Sequence, residues 1–426
     1  MAAATDRSGG GKKRKCAAAG LAELHDDMLE RVLARLPPAS FFRLRGVSRR
    51  WRAAAESNTF RAACARVPAR DPWFLMLSDS AHKDNHEEEE EQPPLARPAV
   101  VFDSAERAWA RWRGQAPGPV PVAAAGGLVL YRDPGSGALT VTNPLTGASR
   151  SLPPCGAQLL AVAMYGSSPY RVVLILGDLP DLSVATFDSS KDAWEGPVAL
   201  ARRQPDASSG SDRPAADGFG GGDGTDAVYF LSKSGDVVAT NMQRSASRQY
   251  SCAVASGEDN NAVAYFLSHS GTVVACDLAR RTFAELPRIL PAYHEYSIDV
   301  VACDGDSSAY VVVLSEFLGA ASLRVWEFIA ADGAWRQVAA MPPAMSQPFY
   351  GAKADVNCVG HGGRVMICVS SSSSSSGDGA SGCFMCDVKT NRWEELPRCT
   401  AGSGDDGEAT GFVAALSFEP RMEAAV

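Results

Sequence analysis

The stretch Asp387-Val-Lys-Thr-Asn-Arg-Trp393-Glu-Glu-Leu-Pro397 decides how this chain is read. An apolar run ends in Asp387, an aromatic residue follows six positions later, and a Leu-Pro pair closes the unit. The six-residue spacing returns at Asp103 with Trp109, Asp188 with Trp194 and Asp277 with Phe283. The Leu-Pro pair stands nine residues past Asn143 (Leu152-Pro153) and past Asp277 (Leu286-Pro287). With 8 Trp and 16 Phe in 426 residues, a fixed offset of this kind is not chance. Val325-Trp-Glu-Phe with Trp335 reads as a further copy with two residues inserted. Tyr229-Phe-Leu-Ser-Lys-Ser-Gly-Asp-Val-Val-Ala239 nearly recurs 36 residues on, as Tyr265-Phe-Leu-Ser-His-Ser-Gly-Thr-Val-Val-Ala275, which puts Asn241 where Asp277 stands. Each unit reads as a hairpin. The apolar run is a strand, Asp starts a turn by bonding the backbone two residues on, and the aromatic opens the return strand against a neighbouring unit.

The anchors fall at 103, 143, 188, 241, 277, 327 and 387. Units of roughly 40–50 residues, each holding several short strands, are the mark of propeller blades. The expected fold of residues 99–423 is therefore an all-β propeller of six or seven blades. Gln204-Pro-Asp-Ala-Ser-Ser-Gly, with the Gly-rich run after it to residue 226, and the serine run Ser370–Ser376 read as loops inserted into it.

Upstream, the chain changes character. Residues 1–70 hold 15 Lys+Arg and 6 Asp+Glu, a net of +9, while the rest holds 26 and 43, a net of −17. The overall −8 thus hides two surfaces of opposite sign. Residues 1–20 form a basic, Gly/Ala-rich tail with Lys12-Lys-Arg-Lys15, either an import signal or a solvated tail. In residues 21–66, Leu24, Met28, Leu29, Val32, Leu33 and Leu36 recur at helical steps, with Asp26 and Asp27 at the start and Pro37-Pro38 as the stop. Ser40 is placed to cap a second helix bearing Phe41, Leu44 and Val47, and Trp51, Phe60 and Cys64 extend the pattern. So small a helical unit buries little by itself and needs a partner surface. Residues 67–98 are expected to connect the two parts, and Glu87–Glu91 followed by Pro93-Pro94 has no route to a core.

Leu24-His-Asp-Asp-Met-Leu-Glu-Arg-Val-Leu-Ala-Arg-Leu-Pro37, followed by Phe42-Arg-Leu-Arg-Gly-Val-Ser-Arg-Arg-Trp51 and Phe60, resembles the F-box. The first landmark departs from the family's Leu-Pro, being Leu24-His25. The second part resembles the degenerate kelch-type propellers of plant F-box proteins. Asn143-Pro-Leu-Thr-Gly-Ala-Ser-Arg-Ser-Leu-Pro-Pro154 is similar to a phrase of that group, and Gly126-Gly127 and Gly362-Gly363 fit the diglycine that kelch blades carry at the end of the second strand. The resemblance implies a small all-α F-box that docks the Skp adaptor of a cullin ubiquitin ligase, and a propeller that presents a target protein for ubiquitination and proteasomal degradation. By position in the family motif, the adaptor contact is expected at Leu24, Leu29, Val32, Leu36, Pro37, Leu44, Val47 and Trp51, part of that set serving the internal core. The alternative is a kelch-type scaffold that does not promote degradation.

Other chemistry finds little footing. No phosphate-binding glycine loop, nucleophile elbow or zinc-protease motif occurs. His82 and His86 read as polar linker residues. Cys383-Phe-Met-Cys386 has redox or zinc spacing but no second pair, and strand alternation sends its sulfurs to opposite faces. The arginines between 43 and 70 give a basic helical face, yet no base-reading motif accompanies them, so nucleic acid is not the expected partner. The aromatic set follows the Asp register, which speaks for blade packing over a ligand platform. A copper-oxidase-type propeller enzyme needs clustered His, Tyr and Cys ligands, and only three histidines lie past residue 100. The chain is therefore read as a non-enzyme without metal or cofactor. No apolar run approaches the ~20 residues of a membrane span, and the N-terminus lacks a secretory apolar stretch. Eleven scattered cysteines, an odd number, point to a reducing compartment, the nucleus or cytoplasm.

Overall fold

The computed structural model describes residues 25–46, 48–78, 99–112, 118–155, 159–203, 228–231, 237–240, 252–256, 262–268, 272–290, 296–303, 308–352, 354–371, 381–399 and 412–426. The expectations for the Lys12–Lys15 tail, Leu24, Val47, the His82–Glu91 stretch, the 204–226 loop, Asn241 and most of the serine run lie outside these residues. The chain divides into two compact units, Met1–Pro68 and Ala69–Val426.

The first unit contains helices α1 (Asp26–Leu33), α2 (Pro38–Arg45), α3 (Arg49–Glu56) and α4 (Asn58–Ala65). Asp26 and Asp27 lie in the first turn of α1, facing the positive end of the helix dipole. Pro38 begins α2, with Pro37 before it, so Ser40 sits inside the first turn and does not cap. Its hydroxyl instead accepts from Arg43 Nη2 at 3.3 Å. Leu29, Leu33, Phe41, Phe60 and Cys64 are each at most 1% exposed and form the core, with the Phe41 and Phe60 rings stacked at 5.2 Å. Glu30 is buried too, and its Oε1 accepts from Ser57 Oγ at 2.7 Å and Thr59 Oγ1 at 3.0 Å. Ser57 Oγ in turn accepts from Phe60 N at 2.9 Å, so α1 holds the capped start of α4.

The second unit is a six-blade β-propeller. Its blades, each with strands A to D from the axis outward, are built as follows. Blade 1 is Phe412–Phe418, Trp73–Ser78, Ala99–Asp103 and Ala108–Arg111. Blade 2 is Val120–Ala125, Leu128–Arg132, Leu139–Thr142 and Ser149–Ser151. Blade 3 is Leu159–Gly166, Tyr170–Asp178, Asp181–Asp188 and Ala193–Ala199. Blade 4 is Ala253–Ser256, Ala262–Leu267, Val273–Asp277 and Thr282–Glu285. Blade 5 is Tyr296–Ala302, Ala309–Phe317, Ala320–Ile329 and Ala334–Ala340. Blade 6 is Ala354–His361, Arg364–Ser371, Gly382–Asp387 and Arg392–Glu395. The A strands touch in succession around a closed ring.

Blade 1 closes that ring. Its A strand comes from the C-terminus and pairs antiparallel with Trp73–Ser78. The 67–98 range expected to connect the two parts therefore contributes strand B of this blade. The B strands of blades 2, 3 and 5 are buried on both faces over most of their length, which is why they read as unbroken apolar runs and not as alternations. Val172, Leu174 and Leu176 face blade 2, while Val173 and Ile175 face blade 4. Phe74 and Met76 face blade 6, while Leu75 and Leu77 face blade 2. The core is thus distributed over the six junctions between blades.

The Asp-to-aromatic register marks the C–D turn. Asp103 Oδ1 accepts from the backbone N of Ala105 and Glu106, Asn143 Oδ1 from Leu145 and Thr146, and Asp188, Asp277 and Asp387 from Ser190, Arg280 and Thr390. Four residues past each anchor the backbone turns left-handed, at Arg107, Gly147, Asp192, Arg281, Gly333 and Asn391, with φ between 52° and 74°. In blade 5 Phe328 lies opposite Trp335 and Ile329 opposite Ala334, as Phe187 and Asp188 lie opposite Trp194 and Ala193. The anchor there is Ile329, six residues before Trp335, and the two-residue insertion does not exist. The fold keeps the turn and replaces the side-chain acceptor. The seventh anchor also falls away. Val228–Leu231 and Val237–Thr240 pair in the register of the hairpin 36 residues on, but as a separate two-stranded sheet. The diglycines Gly126-Gly127 and Gly362-Gly363 form the A–B turns of blades 2 and 6 and do not end a second strand.

Adjacent blades are tied by a recurring bond. The indole N–H of Trp109 donates to Pro397 O at 2.7 Å, that of Trp194 to Pro153 O at 2.9 Å, and that of Trp335 to Pro287 O at 2.6 Å. Each Leu-Pro pair is thus met by the tryptophan of the next blade. Where blade 3 offers Leu200-Ala201, blade 4 has Phe283, so the indole donor is missing. There Ala201–Arg202 adds a short parallel strand to blade 4.

Asn143 differs from the aspartate anchors for a structural reason. It is fully buried, and its Nδ2 donates to Arg421 O at 3.0 Å and Ala424 O at 2.8 Å. A carboxylate could not make these two bonds. They fasten the C-terminal tail, whose Ala424 and Val426 pack on the core between blades 2 and 3.

Candidate docking site

Helix α1 carries two apolar stripes, each one turn long. Leu29 and Leu33 point into the helical core, whereas Met28 is 49% and Val32 42% exposed. An eight-residue helix in a four-helix unit has one inward face, so the second stripe is turned to solvent. Leu36, Pro37, Leu44 and Trp51 are half-buried. Of the residues expected at a contact, Val32 is the most exposed and Leu29 belongs to the core within this unit, while Leu24 and Val47 lie outside the described residues. Met28 was not expected at the surface. The signal for it was present, since Met28/Val32 and Leu29/Leu33 are two separate i,i+4 pairs and only one of them can face inward.

Charge frames the stripe. Arg50 donates to Asp26 Oδ1 from Nε at 2.9 Å and Nη2 at 2.7 Å, which ties α3 to the start of α1. Arg43, Arg49 and Arg52 are exposed. Arg45 lies 6.0 Å from the centre of the Phe42 ring. The unit therefore offers exposed aliphatic side chains with a basic margin.

The Cys383/Cys386 spacing does not bring two thiols together. Cys383 belongs to the junction between blades 6 and 1 and Cys386 to that between blades 5 and 6, so the pair is split across a sheet. Burial pushes the thiols of Cys276 and Cys386 up to about 12, which suppresses the thiolate needed for nucleophilic or metal chemistry. Among the described residues no three His, Cys, Asp or Glu side chains are grouped to hold a metal ion, and no helix is long and apolar enough to cross a membrane.

Residues 21–62 match the F-box domain family. The chain is 39% identical over 421 residues to F-box only protein 13 of Arabidopsis thaliana, covering 95% of this chain and 85% of that protein. It belongs to the F-box proteins. A second Arabidopsis relative, F-box only protein 6, is 22% identical over 396 residues, covering 90% of this chain and 70% of the relative. Among solved structures, the β-propeller domain of the Trilobed protease from Pyrococcus furiosus reaches a TM-score of 0.37 at 10% identity, over 79% of this chain and 95% of that one, too distant to add to the description. F-box domains generally bind Skp adaptors, and F-box proteins are typically non-catalytic.

Proposed function

We propose that this F-box protein is the target receptor of a Skp–cullin–F-box ubiquitin ligase. Its helical unit docks the Skp adaptor, and its propeller holds a protein for ubiquitination and degradation. The observation that carries this reading is the exposed Met28/Val32 stripe beside the buried Leu29/Leu33 stripe. Val32, Leu36, Pro37, Leu44 and Trp51 complete the contact with Met28, and Leu24 and Val47 join it by their place in the family motif. Leu29 supports it from behind. The alternating Leu-Pro and Trp junctions favour degenerate kelch-type repeats for the propeller. The scattered cysteines favour a reducing compartment, the nucleus or cytoplasm.

The test is co-purification of the full chain with a Skp adaptor, followed by the double change L36A/W51A. Loss of the adaptor with an unchanged thermal midpoint is expected. Retention of the adaptor by that variant would remove the docking role. If the adaptor binds but no protein accumulates in cells when the chain is depleted, the chain is a non-degradative scaffold.

A further inference from the structure

Strands B and C of blade 6 place two cysteines opposite each other. Cys368 pairs in register with Cys383, between the pairs Ile367 with Phe384 and Val369 with Gly382. Directly opposed residues of an antiparallel pair share a face, and both side chains pack into the junction between blades 6 and 1. Among the described residues no other two cysteines oppose each other in a strand register. Cys386, on the other face of the same strand, is opposed by Val365 and Trp393 instead.

The kind of pairing matters. The backbone N–H of Leu396 donates to Cys383 O at 2.8 Å, so the polar edge of Cys383 turns toward strand D and away from Cys368. Further along the ladder Val388 N donates to Gly363 O at 3.1 Å, and alternation from that bonded pair gives the same result. Cys368 and Cys383 are therefore a non-hydrogen-bonded pair, the type whose Cα atoms lie about 4.5 Å apart and whose side chains come closest. A disulfide spans Cα separations of roughly 4.4–6.8 Å. The ladder thus meets the spacing of a disulfide without moving a strand.

The two thiols differ in access. Cys368 is 1% exposed, while Cys383 is half-buried. Cys399, also half-buried, packs against the same cluster. Burial pushes the Cys368 thiol well above its ordinary range, and the Cys383 thiol beside it adds to the shift. An oxidant therefore meets Cys383 first.

We infer that Cys368 and Cys383 are an oxidation site, closing to a reversible disulfide when the chain meets a peroxide. The Cys383 sulfur attacks a peroxide oxygen. An S–O bond forms, the O–O bond breaks, and the departing hydroxide leaves as water with the thiol proton. The Cys368 sulfur then attacks the sulfenic sulfur. The S–S bond forms, the S–O bond breaks, and a second water carries off the Cys368 proton. The two thiols lose two electrons, which the peroxide takes up. Proximity offsets the weak nucleophile in the second step, since the sulfurs need no encounter. A dithiol of the thioredoxin class restores both thiols by exchange, so in a reducing compartment the bond is transient. Successive strands alternate in direction, so B–C connections leave from one end of the propeller and C–D turns from the other. Strand B ends at Ser371, so the bond clamps blade 6 close to its B–C end.

The test treats the full chain with hydrogen peroxide at neutral pH and then blocks free thiols with a maleimide in denaturant. Cleavage before Asp378 and after Phe384 separates Cys368, Cys383 and Cys386 for mass spectrometry. The Cys368 and Cys383 peptides should emerge joined, at a peroxide dose at least about tenfold below that which oxidises Cys276 or Cys386. The joined species should vanish on treatment with dithiothreitol and be absent from C383S. C399S should form it as the wild type does, because Cys399 lies outside the register. Thermal midpoints show that the variants are folded, and the wild-type mapping decides by itself if C383S is not. Three results would overturn the inference. The two thiols could stay free up to the dose that oxidises Cys276 and Cys386. Cys383 could be joined to Cys399 in place of Cys368. Cys383 could go on to the sulfinic acid while Cys368 stays free.

Discussion

The two ends of the propeller are built on different principles. At the C–D end, six turns of one length repeat one geometry, a left-handed residue four positions past the anchor, and in five of them an Asp or Asn acceptor. At the B–C end the connections range from two residues to twenty, and one of them strains a leucine to expose it. The first end is specified by local hydrogen bonding and serves the fold. The second is freed by that rigidity to vary, as recognition surfaces on fixed scaffolds do.

Changes at the regular end should therefore cost stability, and changes at the irregular end should not. The largest effect is expected from N143D, which sets a buried carboxylate against the carbonyls of Arg421 and Ala424. A loss of about 3 kcal/mol or more should appear as a lower denaturation midpoint. N143A should fall less, because it adds no charge. If both behave as wild type, the tail is not fastened by Asn143. W335F keeps most of the ring and removes the N–H that reaches Pro287. A loss of about 1 kcal/mol is expected in urea unfolding, and F283W should not gain it back at blade 4, where Ala201–Arg202 is paired as a strand with Thr282–Phe283. At the irregular end the sign reverses. L318N places a residue that tolerates the left-handed region and should raise stability by about 0.5–1 kcal/mol. A destabilised L318N would show that the leucine serves the fold.

The smallest effect is confined to acid. Hydrogen bonds from the Ser190 hydroxyl and backbone hold Asp188 below the ordinary carboxylate range, and the backbone N–H of Thr390 does the same for Asp387. The stability they contribute is complete above the unfolded carboxylate pKa of about 3.9 and is lost as the pH falls through their lower folded values. Melts from pH 6 to 2.5 should therefore drop more steeply below pH ~4 for wild type than for D188N/D387N. Parallel curves would mean that these turns do not depend on the charge.

The same contrast explains what could be read from the sequence. The C–D register was legible because one residue pattern makes one turn, and it led directly to a propeller. It misled at Ile329, where the turn survives without its acceptor, and at residues 228–240, where a copied hairpin does not make a blade. Trp73–Leu77 was missed as a strand because its partner lies at Phe412–Phe418, at the far end of the chain. In the helical unit, periodicity found every apolar residue of α1. It could not say which of the two stripes faces inward, because that is settled by Phe41 and Phe60 packing from other helices. The exposed tip at Phe317–Leu318 had no signal in the sequence, since both residues look like the end of an apolar strand.

The most direct test of the account is the affinity of the full chain for a Skp adaptor, measured by calorimetry for wild type, M28D/V32D and F317S/L318N. Interface anchors of this kind are worth ~2 kcal/mol or more, so M28D/V32D should weaken binding by about thirtyfold or more, while F317S/L318N should bind as wild type does. Wild-type affinity in M28D/V32D, with its thermal midpoint intact, would contradict the assignment of the exposed α1 stripe as the docking face.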